Sequence, residues 1–333
     1  MKKLLSALLL IMLFMTSCNK QENYEKNDIL VIYFSGIPMT RSAITNDPKL
    51  VENTINTLTI GVFSSDGSVK TIRDFSNIGT TNSVRMRVLN LSSTDKVLCS
   101  INTPNGSFSD VKNVHDFNNK EITLESTVTN NGVDLTAKNL LMYGEGPITL
   151  NNDTYIANID AYHLNSKVSL NKLTIAIPNN GTFTPSEIFL MNVPSSIKVS
   201  YNNPYTNANY LNGSLKYPIS GEKQNLYLGY GNINTSVNQL FFYTSPNISD
   251  KYTKIVVCGM YDPDGNSGHS KPKLTFYPII IDKNILSNRN YILNITIKGI
   301  GVNKPTDELN YSNLQVNINI KNFTDINKDI QLD

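Results

Sequence analysis

Tryptophan is missing from this chain, and histidine and cysteine occur three times each in 333 residues. These shortages remove whole classes of chemistry. His115, His163 and His269 stand in no metal-ligand spacing with Cys, Asp or Glu, so no metal site is expected. Each is read as a surface or turn residue. No glycine-rich loop follows a strand and opens a helix, which leaves a nucleotide phosphate without a cradle. No carboxylate pair stands out as a hydrolase acid and base. The expectation is a protein that is not an enzyme and carries no cofactor. Charge is scarce as well, at 17% of residues. The net charge of +2 comes from the first 41 residues, and the remainder is neutral, which gives nucleic acid no electrostatic footprint. After the N-terminal leader no apolar run is long enough to span a membrane.

What is present begins at that leader. Lys2 and Lys3 form a basic start, and Leu4 to Met15 an apolar stretch too short for a bilayer and suited to export. Residues 1–17 are therefore read as a signal peptide. Met15-Thr16-Ser17-Cys18 has the form of a lipobox, with small side chains before the cut and the Cys18 thiol placed to take a diacylglycerol. On this reading the lipid is the membrane tie of the precursor. Asn19 to Asp28 is a polar tether. The run Ile29, Leu30, Val31, Ile32, Tyr33 and Phe34 is a short strand apolar on both faces, which implies burial on both sides. Gly36 and Pro38 end it, and Arg41 to Pro48 is a polar loop open to a protease. Cys99 and Cys258 lie in strand-like runs far apart. An exported protein permits a disulfide between them, and two buried free thiols are the preferred reading.

The body is long enough for two domains, and its pattern is all-β. Leu58, Ile60 and Val62 alternate with small or polar residues before a Ser65-Asp66-Gly67 turn and a return strand from Val69 to Phe75. Ser83 to Leu89 places Val84, Met86 and Val88 inward and Arg85 and Arg87 outward. Val97 to Ile101 follows. Phe108 to Phe117 carries helical spacing and is expected to be the one short helix. Leu140 to Leu150 reads as a strand broken at Gly144-Glu145-Gly146. A domain boundary is expected near Leu150 to Ala157, dividing residues 42–153 from 154–333. Further strands are expected near residues 168–177, 188–193, 226–229, 240–244, 252–261, 274–282 and 291–298, with Asn-, Gly- and Pro-rich loops between them. Asp262-Pro263-Asp264-Gly265-Asn266 lacks the later Glu of a calcium loop and is a turn. Asn313 to Lys321 is the cleanest alternation in the chain, with Leu314, Val316, Ile318 and Ile320 on one face. Phe323 follows, and Ile326, Ile330 and Leu332 carry an apolar face nearly to the end.

These parts together resemble the fimbrillins, the type V pilins of the Bacteroidales-type cell envelope. The resemblance rests on the lipobox leader, the apolar strand, and Thr40-Arg41-Ser42. It continues in the opening Ile55 to Gly67 and in the stretch from Arg289-Asn290-Tyr291 through Gly299-Ile300-Gly301 to Pro305. A V-x-I-x-I strand and an aromatic then follow. That aromatic is typically Trp in the family and is Phe323 here. The resemblance covers essentially the whole chain. It implies two tandem β-sandwich domains of the transthyretin-like, Greek-key kind. It also implies an outer-membrane, cell-surface lipoprotein precursor, cut between Arg41 and Ser42 by an arginine-specific protease. The cut releases residues 18–41, and the emptied slot receives a strand from another fimbrial subunit. Such head-to-tail contacts do not close and make a filament, a fimbria that serves adhesion and biofilm formation. The donor is expected in the tail, at Leu314, Val316, Ile318 and Ile320 or at Ile330 and Leu332; the residues alone leave the choice between the two segments open. The alternative readings are a fimbrial tip adhesin and a monomeric surface lipoprotein that binds glycans through the Tyr/Asn-rich loop from Tyr201 to Gly213.

Overall fold

A computed structural model describes residues 27–35, 52–76, 78, 83–125, 132–134, 136–200, 209–231, 233, 238–265 and 271–323. The first half contributes β1 (Asn27–Ser35), β2 (Thr57–Phe63), β3 (Val69–Ser76), β4 (Ser83–Leu89), β5 (Lys96–Ile101) and the helix α1 (Val114–Asn118). It continues with β6 (Glu121–Glu125), β7 (Gly132–Asp134), β8 (Met142–Asn151), β9 (Thr154–Asp160) and β10 (Tyr162–His163). The second half holds β11 (Ser166–Ile175), β12 (Thr182–Met191), β13 (Val193–Pro194), β14 (Ser196–Lys198), β15 (Tyr210–Asn212) and β16 (Glu222–Gln224). It ends with β17 (Gly229–Gly231), β18 (Asn238–Thr244), β19 (Lys254–Asp262), β20 (Lys273–Ile280), β21 (Arg289–Ile297) and β22 (Leu314–Asn322). The chain is nearly all β.

In the first half the strands run in the order β3-β2-β5-β8-β9-β1-β4. The early part of β8 pairs with β5, and Ile148 to Asn151 pair with β9. One strand thus serves both sheets of a sandwich. The expected break at Gly144 and Gly146 is instead this shared strand. A Cβ at Gly146 would lie 2.5 Å from the Asn158 carbonyl oxygen, and one at Gly144 would meet the Ile159 side chain. The glycines let β9 and its continuation approach the β8 backbone closely. Period-two alternation fills the space between the layers: Leu58, Ile60 and Val62 face Leu30 and Ile32 and the Val84, Met86, Val88 set.

The opposite face of β5 and β8 is covered as well. Leu98 and Tyr143 join Phe108 and Phe117 in a second cluster that runs on into Val168, Leu293 and Ile295. The helix is shorter than expected. Residues 104–111 form successive turns whose N–H groups bond three residues back, and α1 begins only where Asn113 caps it, accepting from Asp116 N at 2.9 Å. The Asn113 cap meets the first-turn donors that would otherwise stay unpaired. Phe117 stacks on Phe108 at 4.3 Å and meets Phe63 edge-on at 5.7 Å.

The second half packs β18-β11-β21-β22 against β17-β12-β19-β20. Val168, Leu170, Leu293, Ile295 and Ile297 of one layer and Ile188, Leu190, Ile255, Val257 and Ile279 of the other belong to the cluster that also holds Phe63 and Phe117. One apolar cluster therefore spans both halves, beside the first sandwich's own core. A strand pair joins them too, β6 with β14. The expected division after residue 153 falls in the turn of the β8–β9 hairpin, and β9 is a strand of the first sandwich. Leu226–Leu228 is a 3₁₀ turn before β17, where a strand had been expected. Cys99 and Cys258 are buried free thiols, and burial pushes Cys99 up to about 12.

Candidate functional site

Of the residues singled out from sequence, Ile29 to Phe34 lie in β1. This strand sits inside its sheet, antiparallel to β4 and parallel to β9, so both edges of its backbone are used. Neither neighbour is joined to β1 by a hairpin; the next strand among the described residues, β2, lies in the opposite layer. Leu30 and Ile32 are fully buried, with Phe34 and Val31 nearly so. Ile29 and Tyr33 are 49% and 41% exposed. The expectation of burial on both faces thus fails for those two. They share the outward face with Val31, which is nearly buried, and with the exposed Arg85 and Arg87 of β4.

The ends of β1 are held by polar groups that sequence reading passed over. The Asp28 carboxylate, itself buried, accepts a hydrogen bond from Leu91 N at 3.1 Å. The Leu91 carbonyl accepts one from the Tyr155 hydroxyl at 2.8 Å. Behind them Lys70 pairs with Asp95 at 2.6 Å and donates to the Asn90 carbonyl. Asn90 has φ +50°, a left-handed conformation that Asn tolerates. At the other end the Ser35 hydroxyl donates to Asp160.

The second predicted segment is β22, which among the described residues is an edge strand paired with β21 alone. Leu314, Val316, Ile318 and Ile320 stand opposite Ile297, Ile295, Leu293 and Tyr291 and so share the core-facing side. Cover runs out along the strand. Leu314 is 7% exposed, Ile318 37% and Ile320 47%. Cys18, Arg41, Ser42, Ile330 and Leu332 lie outside the described residues, as do His269 and Tyr201.

Phe323 closes β22 against a buried seam. Its N–H bonds the Asn288 carbonyl at 2.9 Å, and its ring lies 4.4 Å from His163 and 6.1 Å from Tyr243. Lys167 Nζ stands 5.7 Å from the same ring and 4.6 Å from that of Phe241. Lys167 is paired with Glu52, which also accepts from the Tyr243 hydroxyl at 2.6 Å. The seam gathers a residue near the start of the body, β10, β11, β18 and the end of β22. Burial first, and the Glu52 carboxylate second, push the Tyr243 hydroxyl up. His163, expected at a surface or turn, is instead buried. Its Nε2 donates to Asn53 Oδ1 at 3.1 Å, and burial, reinforced by Lys167, pushes its pKa down to about 3.

The remaining sequence features take structural roles. Asp264 N bonds Asp262 Oδ1 at 3.3 Å, and Gly265 has φ +54°, as a turn requires. Among the described residues no three His, Cys, Asp or Glu converge as metal ligands. Tyr210 is buried, with its hydroxyl on Ser249. A cleft of about 550 Å³ lies between α1 and β8, lined by polar groups that include Asn113, Asn118, Glu145 and Tyr162.

No family model matches this sequence, and no curated protein matches it. Solved structures match across nearly the whole chain. A protein assigned to cell adhesion from Bacteroides eggerthii superposes with a TM-score of 0.68 at 16% identity, covering 90% of this chain and 97% of its own. The fimbrilin FimA of Porphyromonas gingivalis gives 0.66 at 17% identity, covering 90% and 98%. The tip fimbrial protein Mfa3 of Porphyromonas gingivalis, with a C-terminal truncation, gives 0.52 at 14% identity, covering 89% and 100%. At such identities it is the architecture that is held in common, and this chain has the fimbrillin fold.

Proposed function

We propose that this chain is a structural subunit of a cell-surface fimbria, made as a lipoprotein on Cys18, cut between Arg41 and Ser42, and polymerised by strand exchange. The observation that carries the reading is the placement of β1. It fills an interior position of a sheet, yet no hairpin ties it to either neighbour. Removing it exposes two strand edges at once, on β4 and β9, together with the apolar floor beneath Leu30, Ile32 and Phe34. With Val31 on the other face these make four buried apolar side chains, which at about 1.5–3 kcal/mol each amount to about 6–12 kcal/mol before ordering costs. A slot of that kind does not stay open while a strand is at hand. The edge position and half-exposed apolar side of β22 suit it to leave its own sheet and fill that slot in a neighbouring subunit. Partners on this reading are further fimbrial subunits and an arginine-specific protease. Adhesion follows from display at the surface.

The test is to treat the purified chain with an arginine-specific protease and look for a ladder of SDS-resistant multimers. Arg41→Ala is expected to leave a folded monomer. Multimers formed equally by the Arg41→Ala protein would overturn the cleavage step. A second reading, glycan binding by a monomer, draws on the polar cleft beside α1 with the half-exposed Tyr162 in its wall. It predicts oligosaccharide binding without cleavage or multimers.

A further inference from the structure

The pair formed by Asp28 and Leu91 has a consequence for what the slot accepts. Asp28 lies on the same side of β1 as Leu30, Ile32 and Phe34, two residues before the first of them. Its buried carboxylate takes the N–H of Leu91, a residue that is itself 6% exposed and part of the sandwich core. Losing β1 leaves that donor without the acceptor, and an unpaired buried N–H is costly. The slot therefore reads, in chain direction, a hydrogen-bond acceptor followed by apolar residues at the second, fourth and sixth positions after it.

We propose that this acceptor position sets the register of the incoming strand and that the strand it selects is residues 312–318 of a second copy of this chain. In residues 305–333 one alignment alone meets the pattern: Ser312 as acceptor, then Leu314, Val316 and Ile318 in the places of Leu30, Ile32 and Phe34. The segment from Ile326 to Leu332 does not meet it, since Lys328 interrupts the apolar series in every acceptor-led frame that includes Ile326. Residue Ser312 is exposed, in the 3₁₀ turn that precedes β22, and so is free to move with that strand. A one-residue slip would turn the apolar series to solvent. A two-residue slip one way keeps apolar residues in all three pockets (Val316, Ile318 and Ile320) but sets Leu314, which has no side-chain acceptor, against the Leu91 N–H. A slip the other way keeps an acceptor in Asn310 but puts Ser312 in the first apolar pocket. The acceptor thus distinguishes registers that the apolar alternation alone leaves nearly equivalent. The inference rests on the strand-exchange reading above.

The test has two arms. In the full chain, amide hydrogen exchange is measured at Leu91 for the parent, Asp28→Asn and Asp28→Ala. Asp28→Asn keeps an acceptor and is expected to keep protection, whereas Asp28→Ala is expected to exchange at least tenfold faster at Leu91 with other β4 and β9 amides unchanged. Unchanged exchange at Leu91 in Asp28→Ala overturns the register role. In the second arm the arginine-protease-treated chain is titrated with synthetic peptides spanning 311–321 and 324–333, and with the first peptide carrying Ser312→Ala. The first is expected to bind, Ser312→Ala to bind about tenfold more weakly, and the second not to bind. Equal binding of the Ser312→Ala peptide, or stronger binding of 324–333, overturns the selection of 312–318. If no peptide binds, including one spanning Asn27 to Ser35, the strand-exchange reading itself falls.

Discussion

His163 shows at the scale of one residue what the sequence conceals. Nothing in Tyr162-His163-Leu164 marks the imidazole as interior, because the groups that bury it come from elsewhere: Asn53 lies 110 residues away, and Phe323 closes the other side. Its protonation is linked to folding. The folded pKa, about 3, lies below the ordinary histidine value, so the folded chain holds the neutral ring while the unfolded chain takes up a proton as pH falls through about 6.5. Its contribution is whole above that value and is lost between about pH 6.5 and 3, at up to about 1.4 kcal/mol per pH unit. Urea unfolding at pH 7.5 and 5 is expected to show a loss about 2 kcal/mol greater for the parent than for His163→Phe. An equal loss in both would show that the ring does not stay neutral. Asp28 was hidden for the opposite reason. It follows a charged tether and reads as its end, although it is the first inward residue of β1.

At the scale of elements, periodicity made most strands legible. Val84-Met86-Val88, Tyr291-Leu293-Ile295-Ile297 and Leu314-Val316-Ile318-Ile320 alternate cleanly, and each lies in a strand. Where the inward positions hold small or polar residues the signal fades. Thr154 to Asp160 turns Ala157 and Ile159 inward beside Asn158, and β9 was not foreseen. Gly144 and Gly146 suggested a break, because glycine in a strand and glycine in a turn look alike until the neighbouring backbone is seen. Gly146→Ala tests the structural account: its Cβ would sit 2.5 Å from the Asn158 carbonyl oxygen and 3.0 Å from Ile159 Cδ1. A loss of about 2–3 kcal/mol is expected in urea unfolding, as for other overpacked sites. Gly106→Ala, where nothing stands within 4 Å but φ is +81°, should lose about 1 kcal/mol through backbone strain alone. If Gly146→Ala proved the milder change, β9 would not be packed on β8 as described.

For the whole molecule, the sequence conveyed a β-rich body of two halves and missed that they are fused. Contacts such as β6 with β14 and Glu52 with Lys167 link residues more than seventy positions apart, and no local pattern announces them. Truncation at residue 310 tests how the tail serves the assembly. It removes β22 and Phe323 together, leaving β21 as the edge and His163 without its ring partner. The truncated chain is expected to stay folded with reduced stability, to be cut by the arginine protease, and to form no multimers. A multimer ladder from it would remove the tail from the mechanism.

The fusion of the halves bears on how such a subunit would carry tension. In a filament of the proposed kind a pulling force enters through the slot of the first sandwich and leaves by the tail of the second. A flexible link between two beads would stretch before either bead yielded, whereas halves joined by a continuous apolar interior have no such slack. Drag from flowing liquid would then fall on the inserted strands, lengthwise, and the weakest joint of the thread would lie between molecules, never within one.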